Sequence, residues 1–158
     1  MSHIPSFYRA FFLYVDPVLC FSGIYLAFFD PSTYLLNSTP SALVSKIDTT
    51  TAIPPLPQFL VNTIGSFYLF IFSMEALLLR QSLTFPQGLN VKVWRTVMFG
   101  ILLTDLGLLY GGYRADAETL LDVTAWTKGD WTNNGVLALA IAMRTSFLLG
   151  IGGVGKDI

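Results

Sequence analysis

Asp16, Glu75, Asp105 and Arg144 each stand well inside a run of apolar residues, as Asp105 does in "RTVMFGILLTDLGLLYGGYR" (95–114). On membrane-insertion scales a charge at the centre of a helix costs about 2.5–3.5 kcal/mol, so four such groups are hard to keep unless they face one another. At a rise of about 1.5 Å per residue, Asp16, Asp105 and Arg144 fall roughly 13–16 Å from one membrane surface, and Glu75 roughly 6–8 Å. Three acids and one base then share the middle and one half of a bundle and can form a single polar cluster. Three carboxyls outnumber one guanidinium, which leaves at least one acid without a countercharge in a low dielectric, where it keeps its proton. A neutral carboxylic acid held in an apolar pocket is a proton donor.

Such a donor suits a lipophilic substrate. Protonating an alkene or an epoxide makes a carbocation, so water must be excluded and the cation stabilised, for which aromatic faces offer about 0.5–2 kcal/mol each. The candidates are Tyr68, Trp94, Tyr110, Tyr113, Trp126 and Trp131, each of which alone also reads as an ordinary membrane-belt residue. Glu75 or Asp105 would donate the proton, Asp16 would hold or reprotonate the donor, and Arg144 would position the network or bind a polar head group. The purely structural alternative makes Arg144 a staple for one acid, with Glu75 answering Arg80 and Asp16 answering Arg9.

Other chemistries lack their parts. The chain has no G-x-S-x-G, H-E-x-x-H, P-loop or dinucleotide fingerprint. One cysteine (Cys20) and one histidine (His3) supply neither an internal disulfide nor a histidine-based metal site. The acidic stretch "DAETLLD" (Asp116, Glu118, Asp122) is the nearest approach to a magnesium–diphosphate motif and reads as a solvated face. Direct protonation, with no cofactor and no metal, is the chemistry that remains.

The elements that carry these residues are membrane helices. Apolar residues make up 53% of the 158-residue chain and charged ones 12%, against about 25% in soluble domains. Mean hydropathy is +0.61. A net charge of −1 gives no case for a nucleic-acid partner. A bilayer crossing takes about 20 helical residues, and four segments fit: 7–29, 59–79, 94–113 and 135–154. The expected fold is all-α, a single domain made of a four-transmembrane-helix bundle. A long Ser/Thr/Pro-rich segment, 30–58, reads as irregular or partly surface-lying and holds a chance-level glycosylation pattern at Asn37; 81–93 is a short polar turn; 115–134 is acidic and suits a short amphipathic helix on the membrane surface. The internal Asp16-Pro17 and the three later spans argue against a cleaved signal peptide in the first span.

Four spans place both termini on one side, with Arg9, Arg80, Lys92, Arg95 and Lys156; Lys46, Arg114 and Lys128 fall on the other. The positive-inside rule then puts the termini in the cytosol. At about 100° per residue, Asp16 shares a face with Arg9, Cys20, Gly23 and Ala27, a stripe fit for close packing. Glu75 shares one with Tyr68 and Leu79, and Asp105 with Trp94, Met98 and Gly112; Arg144 lies above Asn133. Pro17 removes a backbone hydrogen bond and should kink the first span beside Asp16.

The stretches "RAFFLYVDP", "MEALLLR", "VWRTVMFGILLTDLGLLY" and "AMRTSFLLGIGG" resemble a family of small four-span fungal membrane proteins over nearly the whole chain. The resemblance is carried by the order and spacing of Asp16-Pro17, Glu75 with Arg80, Trp94-Arg95, Asp105 with Tyr110, and Arg144. Some members of that family resemble the atypical terpene cyclases of meroterpenoid secondary metabolism, which protonate the terminal olefin of a farnesyl chain to build a drimane-type bicycle. The pattern departs at Leu108, where the family has a histidine, so no acid–histidine pair is implied. The layout is also broadly similar to four-helix sterol isomerases and sigma-receptor-like proteins, which place acids inside a lipid-open bundle.

The expected function is a membrane-embedded terpene cyclase that protonates an olefin or epoxide of a prenylated lipophilic precursor and closes rings without metal. The alternatives are a sterol or lipid isomerase-like enzyme and a non-catalytic lipid-binding membrane scaffold. A proton-coupled transporter would need self-association to gain room for alternating access. The expected partners are the prenylated small molecule and membrane lipid, with a homo-oligomer left open, and the expected location is the endoplasmic reticulum membrane.

Overall fold

A computed structural model describes residues 4–44 and 53–155. His3, Lys46, Lys156 and the middle of the 30–58 segment lie outside them. Every regular element among the described residues is helical. Three helices are long and apolar enough to cross a membrane: α1 (Ser6–Phe29), the helix Pro55–Ser82, and the helix that spans Gly88–Ala115. Between the first two lies α2 (Pro31–Ser38), followed by a single turn, Ser41–Val44. The remaining elements are α3 (Pro55–Ser82), α4 (Gln87–Ala115), α5 (Ala117–Leu121), a 3-10 turn at Val123–Ala125 and a final helix, α6, which runs continuously over 128–148.

Local chemistry accounts for the starts of these helices. The residues before α1, α3 and α4 are Pro5, Pro54 and Pro86, all extended at φ −53°, −58° and −52°. A proline there fixes the approach of the chain and forfeits no N–H that the helix needs. Asp30 caps α2 by accepting from the Thr33 N–H at 3.2 Å, with Pro31 at the first helical position. The segment 30–58, expected to be irregular, therefore begins with a capped helix. Asp116 caps α5 in the same way through Thr119. Thr127 and Asp130 close a reciprocal capping box that starts α6.

The fourth helix differs from its expected range. It begins at 128 rather than 135, and it stops at Leu148 rather than running to 154. The capping box sets the start. The stop is set by "GIGGVG": Gly150, Gly152, Gly153 and Gly155 all take positive φ (75°, 78°, 90° and 75°), which side chains resist and a helix excludes. Its first two turns, "KGDWTNNG", are polar, and α6 is not among the three helices apolar enough by themselves to cross a membrane.

Three helices carry a π-helical turn, at Phe11–Val15, Met74–Leu79 and Trp131–Gly135. In α1 the turn precedes Asp16-Pro17. Pro17 has no N–H to offer the Leu13 carbonyl in the α register, and Arg80 donates to that carbonyl at 3.4 Å instead. The Arg80 guanidinium also sits 5.5 Å over the Tyr14 ring.

The bundle is asymmetric along its axis. At the end that holds residues 4–12, 79–98 and 143–154, Tyr8, Phe12, Trp94 and Phe147 interlock with ring centroids 5.2–6.3 Å apart. The Trp94 indole donates to Ser82 Oγ at 2.8 Å, and Tyr8 donates to the Ile151 carbonyl at 3.1 Å, joining both terminal segments. The opposite end, formed by α2, α5 and the start of α6, is looser. Along their length α1 and α3 approach closely through small residues: a Cβ on Gly65 would meet Ala27 Cβ at 2.8 Å, and one on Gly23 would meet the Tyr68 ring at 3.1 Å. The outward faces carry large exposed apolar side chains, among them Val18, Phe21, Phe67, Phe70, Phe99 and Leu103, as a lipid-facing surface requires.

The α1–α3 contact makes a signed prediction. Gly65→Ala should destabilise the protein by about 1–3 kcal/mol through overpacking. Gly100→Ala, whose Cβ meets nothing within 4 Å, should be neutral or gain up to about 1 kcal/mol of helix propensity. Thermal midpoints in detergent separate the two, and equal effects would refute the packing.

Candidate functional site

The four ionisable residues come from four different helices, Asp16 from α1, Glu75 from α3, Asp105 from α4 and Arg144 from α6, and they meet. Arg144 Nη1 donates to Asp105 Oδ2 at 2.6 Å, and Nη2 donates to Glu75 Oε1 at 3.1 Å and to Asp16 Oδ2. All four are buried, with relative exposures of 0% for Glu75, 2% for Arg144, 4% for Asp16 and 6% for Asp105. Arg80 and Arg9 are not the partners of these acids: Arg80 is spent on Leu13 and Tyr14, and Asp16 turns to Arg144. Glu75 Oε2 and Arg144 Nε are buried with no hydrogen-bond partner.

The π turns help to aim the acids. A π turn adds a residue to the helix and rotates the side chains beyond it, and such turns recur at functional sites. Asp16 stands directly after one and Glu75 lies inside another. Arginine suits the centre of this cluster because its planar guanidinium offers five donors in a fixed fork and stays charged when buried.

A cavity of about 450 Å³ opens from the cluster toward the looser end, a size typical of small-molecule sites. Asp16, Asp105 and Arg144 form its floor; Leu19, Ile64, Leu109 and Leu137 line its waist; Asn37, Asp116, Thr119, Asp130, Asn133 and Asn134 ring its mouth. Glu75 is not on the wall; it stands behind the floor, fully buried. Asp116 lies eleven residues beyond Asp105, just past the end of α4, and Asn133 lies eleven residues before Arg144 on α6, so floor and mouth are roughly 16 Å apart.

The aromatic residues expected around a cation are placed differently. Tyr68 lies on the wall, where Gly23 leaves room for its ring. Trp94 does not: it is fully buried in the closed aromatic end, tied to Ser82. Tyr110 and Tyr113 face outward, 60% and 48% exposed, and Tyr110 accepts a hydrogen bond from Arg114. Trp126 and Trp131 pack edge to face at 4.9 Å beside the mouth rather than on the wall, Trp126 donating to the Thr119 carbonyl and Trp131 largely exposed. A tryptophan in an apolar sequence suits a lipid interface, a core or a pocket equally well, which is why sequence did not sort them. Tyr34, absent from the expected site, is on the wall, its ring edge-on to Tyr68 at 6.5 Å. Burial pushes its hydroxyl well above the usual tyrosine range, so it stays protonated. The helix start at Asp30-Pro31 is the sequence signal that could have placed it.

Among the described residues, the ligand atoms of Asp16, Cys20 and Glu75 lie within 4.8 Å of one another, close enough to share a metal ion. Arg144 already donates to both of those carboxyls and supplies the positive charge that an ion would bring.

The chain belongs to the family described as Domain of unknown function (DUF7704), whose profile matches residues 1–154. No curated protein and no solved structure matches it significantly.

The cluster predicts how the cation and the acids depend on one another. Arg144→Met should cost about 3–5 kcal/mol, because it leaves buried carboxyls without their partner. Adding Asp16→Asn, Glu75→Gln and Asp105→Asn to that variant should return most of the loss. Unfolding in detergent reads both; an Arg144→Met protein as stable as the wild type would contradict the assignment.

Proposed function

We propose that this protein is an integral-membrane acid catalyst that protonates an olefin or epoxide of a prenylated, lipophilic substrate and lets the chain close into rings without metal. The observation that carries this reading is the sharing of one guanidinium by three buried carboxyls, two of them at the floor of a cavity with an apolar waist and the third behind it. If all three carboxyls were ionised the cluster would hold a net charge of −2, and an uncompensated buried charge costs several kcal/mol. Two protons make it neutral. Those protons are the reagent.

The geometry divides the labour. Asp105 lies on the floor, and its Oδ2 is engaged by Arg144, which leaves Oδ1 to carry a proton toward the cavity. Transfer forms a C–H bond from the π pair of the substrate's alkene, or protonates an epoxide oxygen and opens the ring. Either leaves a carbocation on the substrate and a carboxylate on Asp105 that Arg144 stabilises. A second alkene of the chain attacks the cation, and the last cation returns a proton to Asp105 or Asp16. Glu75, behind the floor and bonded to the same guanidinium, is a positioning group that resupplies the proton. Tyr68 and Tyr34 offer the aromatic faces at the cavity wall.

In this reading α6 completes a four-span bundle. The end rich in Arg9, Arg80, Lys92 and Arg95 faces the cytosol, against Arg114 and Lys128 at the other. The protein resides in the endoplasmic reticulum membrane, and the resemblance to membrane-bound terpene cyclases points the same way.

A scaffold reading draws on the same network, since Arg144 ties four helices together. One pair of variants separates them. In microsomes given a farnesylated, terminally epoxidised phenol, Asp105→Asn should abolish cyclised product while the detergent thermal midpoint stays near the wild type. Gly112→Leu, which adds bulk at the cavity wall where a Cβ meets nothing within 4 Å, should also block turnover with the cluster untouched. Full turnover in both variants would exclude the cyclase. A large stability loss in Asp105→Asn, with no product from the wild type, would favour the scaffold.

A further inference from the structure

The mouth of the cavity has a chemistry of its own. Among the described residues, every charged side chain on the wall at this end is acidic: Asp116 and Asp130 stand among Asn37, Thr119, Asn133 and Asn134. Of the basic residues of this end, the two that are described, Arg114 and Lys128, are exposed and off the wall, Arg114 turned to Tyr110. Among the described residues, Arg144 is the one cation on the lining, and it lies at the floor, held by three carboxyls.

Asp116 is half engaged. Its Oδ1 accepts the Thr119 N–H at 3.1 Å, while its Oδ2 is shielded from solvent and accepts nothing. The Thr119 hydrogen bonds hold the carboxyl below its ordinary range, so it is a carboxylate at neutral pH. A carboxylate oxygen with no donor can take a charge-assisted hydrogen bond from a ligand that brings one. A phosphate or diphosphate arriving at this rim would meet acceptors and negative charge instead.

We infer that the mouth of the cavity is a head-group subsite for an amphiphile whose head donates hydrogen bonds and carries no negative charge, with its apolar tail running down to Arg144. An ammonium, amide or hydroxyl head fits; a phosphorylated one does not. The separation of about 16 Å between mouth and floor sets the tail length and brings the far end of the chain, not the end beside the head, to Asp105. The inference rests on the cavity being the substrate site, as in the function proposed above, and not on which group transfers a proton.

The test holds the tail constant and varies the head. Full-length protein in phosphatidylcholine nanodiscs is titrated with farnesylamine, farnesol and farnesyl phosphate. The amine should bind tightest and the phosphate weakest, with about a tenfold or larger gap between them, the worth of one charge-assisted hydrogen bond. Asp116→Asn keeps a good N-cap, so α5 survives, and it should shrink that gap to about the level of the farnesol difference. Partitioning of each probe into lipid is the same for both proteins and cancels in the comparison. Asp105→Asn should leave the ranking intact, so loss of turnover and loss of head selection are separable outcomes. Binding of the phosphate as tight as the amine, an unchanged gap in Asp116→Asn, or no saturable binding by any probe would overturn the subsite.

Discussion

A guanidinium buried at the middle of a helix must be answered on its donor edges, and Arg144 is answered from three other helices at once. That requirement fixes more of this protein than any apolar contact does. Hydrophobic packing between membrane helices is permissive because lipid competes on equal terms. The Arg144 network is directional: Asp16, Glu75 and Asp105 reach it only if α1, α3 and α4 are set in register and rotation against α6. Lysine could not replace it, since a single ammonium offers no planar fork and loses its charge more readily on burial.

The rest of the architecture can be understood as protection for that centre. Below it, the interlocked rings of Tyr8, Phe12, Trp94 and Phe147 seal one end of the bundle against water. Above it, the pairs α1–α3 and α4–α6 leave a cavity between them that ends in a polar, acidic rim. Closure on one side and access on the other are what a buried acid needs if it is to meet a greasy molecule and not bulk solvent. Pro17 contributes as well. It frees the Leu13 carbonyl, which Arg80 takes up from α3 beside the π turn that carries Glu75, so the two π segments are clipped together next to the acids that they aim.

The sequence made the centre of the site legible because a charge inside an apolar run is expensive and therefore informative. Four such charges in separate segments leave few arrangements other than a shared cluster, and helical phase brought Asp16, Gly23 and Ala27 to one face. Less could be read where two physical outcomes share one sequence signal. "FLLGIGGV" is apolar throughout, yet its glycines end the helix at Leu148 by adopting positive φ. The polar "KGDWTNNG" reads as loop, yet the Thr127–Asp130 box makes it helix. The Ser/Thr/Pro-rich 30–58 segment hid α2 and with it Tyr34, although Asp30-Pro31 is a recognisable helix start. Trp94, Trp126 and Trp131 could not be assigned, because belt, core and pocket all favour an aromatic ring. The π turns left no sequence mark that a 3.6-residue period could reveal.

The central claim is that three carboxyls share one cation and that the set stays neutral by holding protons. Infrared spectroscopy of the protein in nanodiscs measures this directly, through the carbonyl stretch of protonated carboxylic acids. At neutral pH the wild type should show that band, and it should weaken in Glu75→Gln and in Asp105→Asn, where an acid has been removed. A wild-type spectrum with no protonated-acid band at neutral pH would contradict the account, since all three carboxyls would then be charged around a single guanidinium.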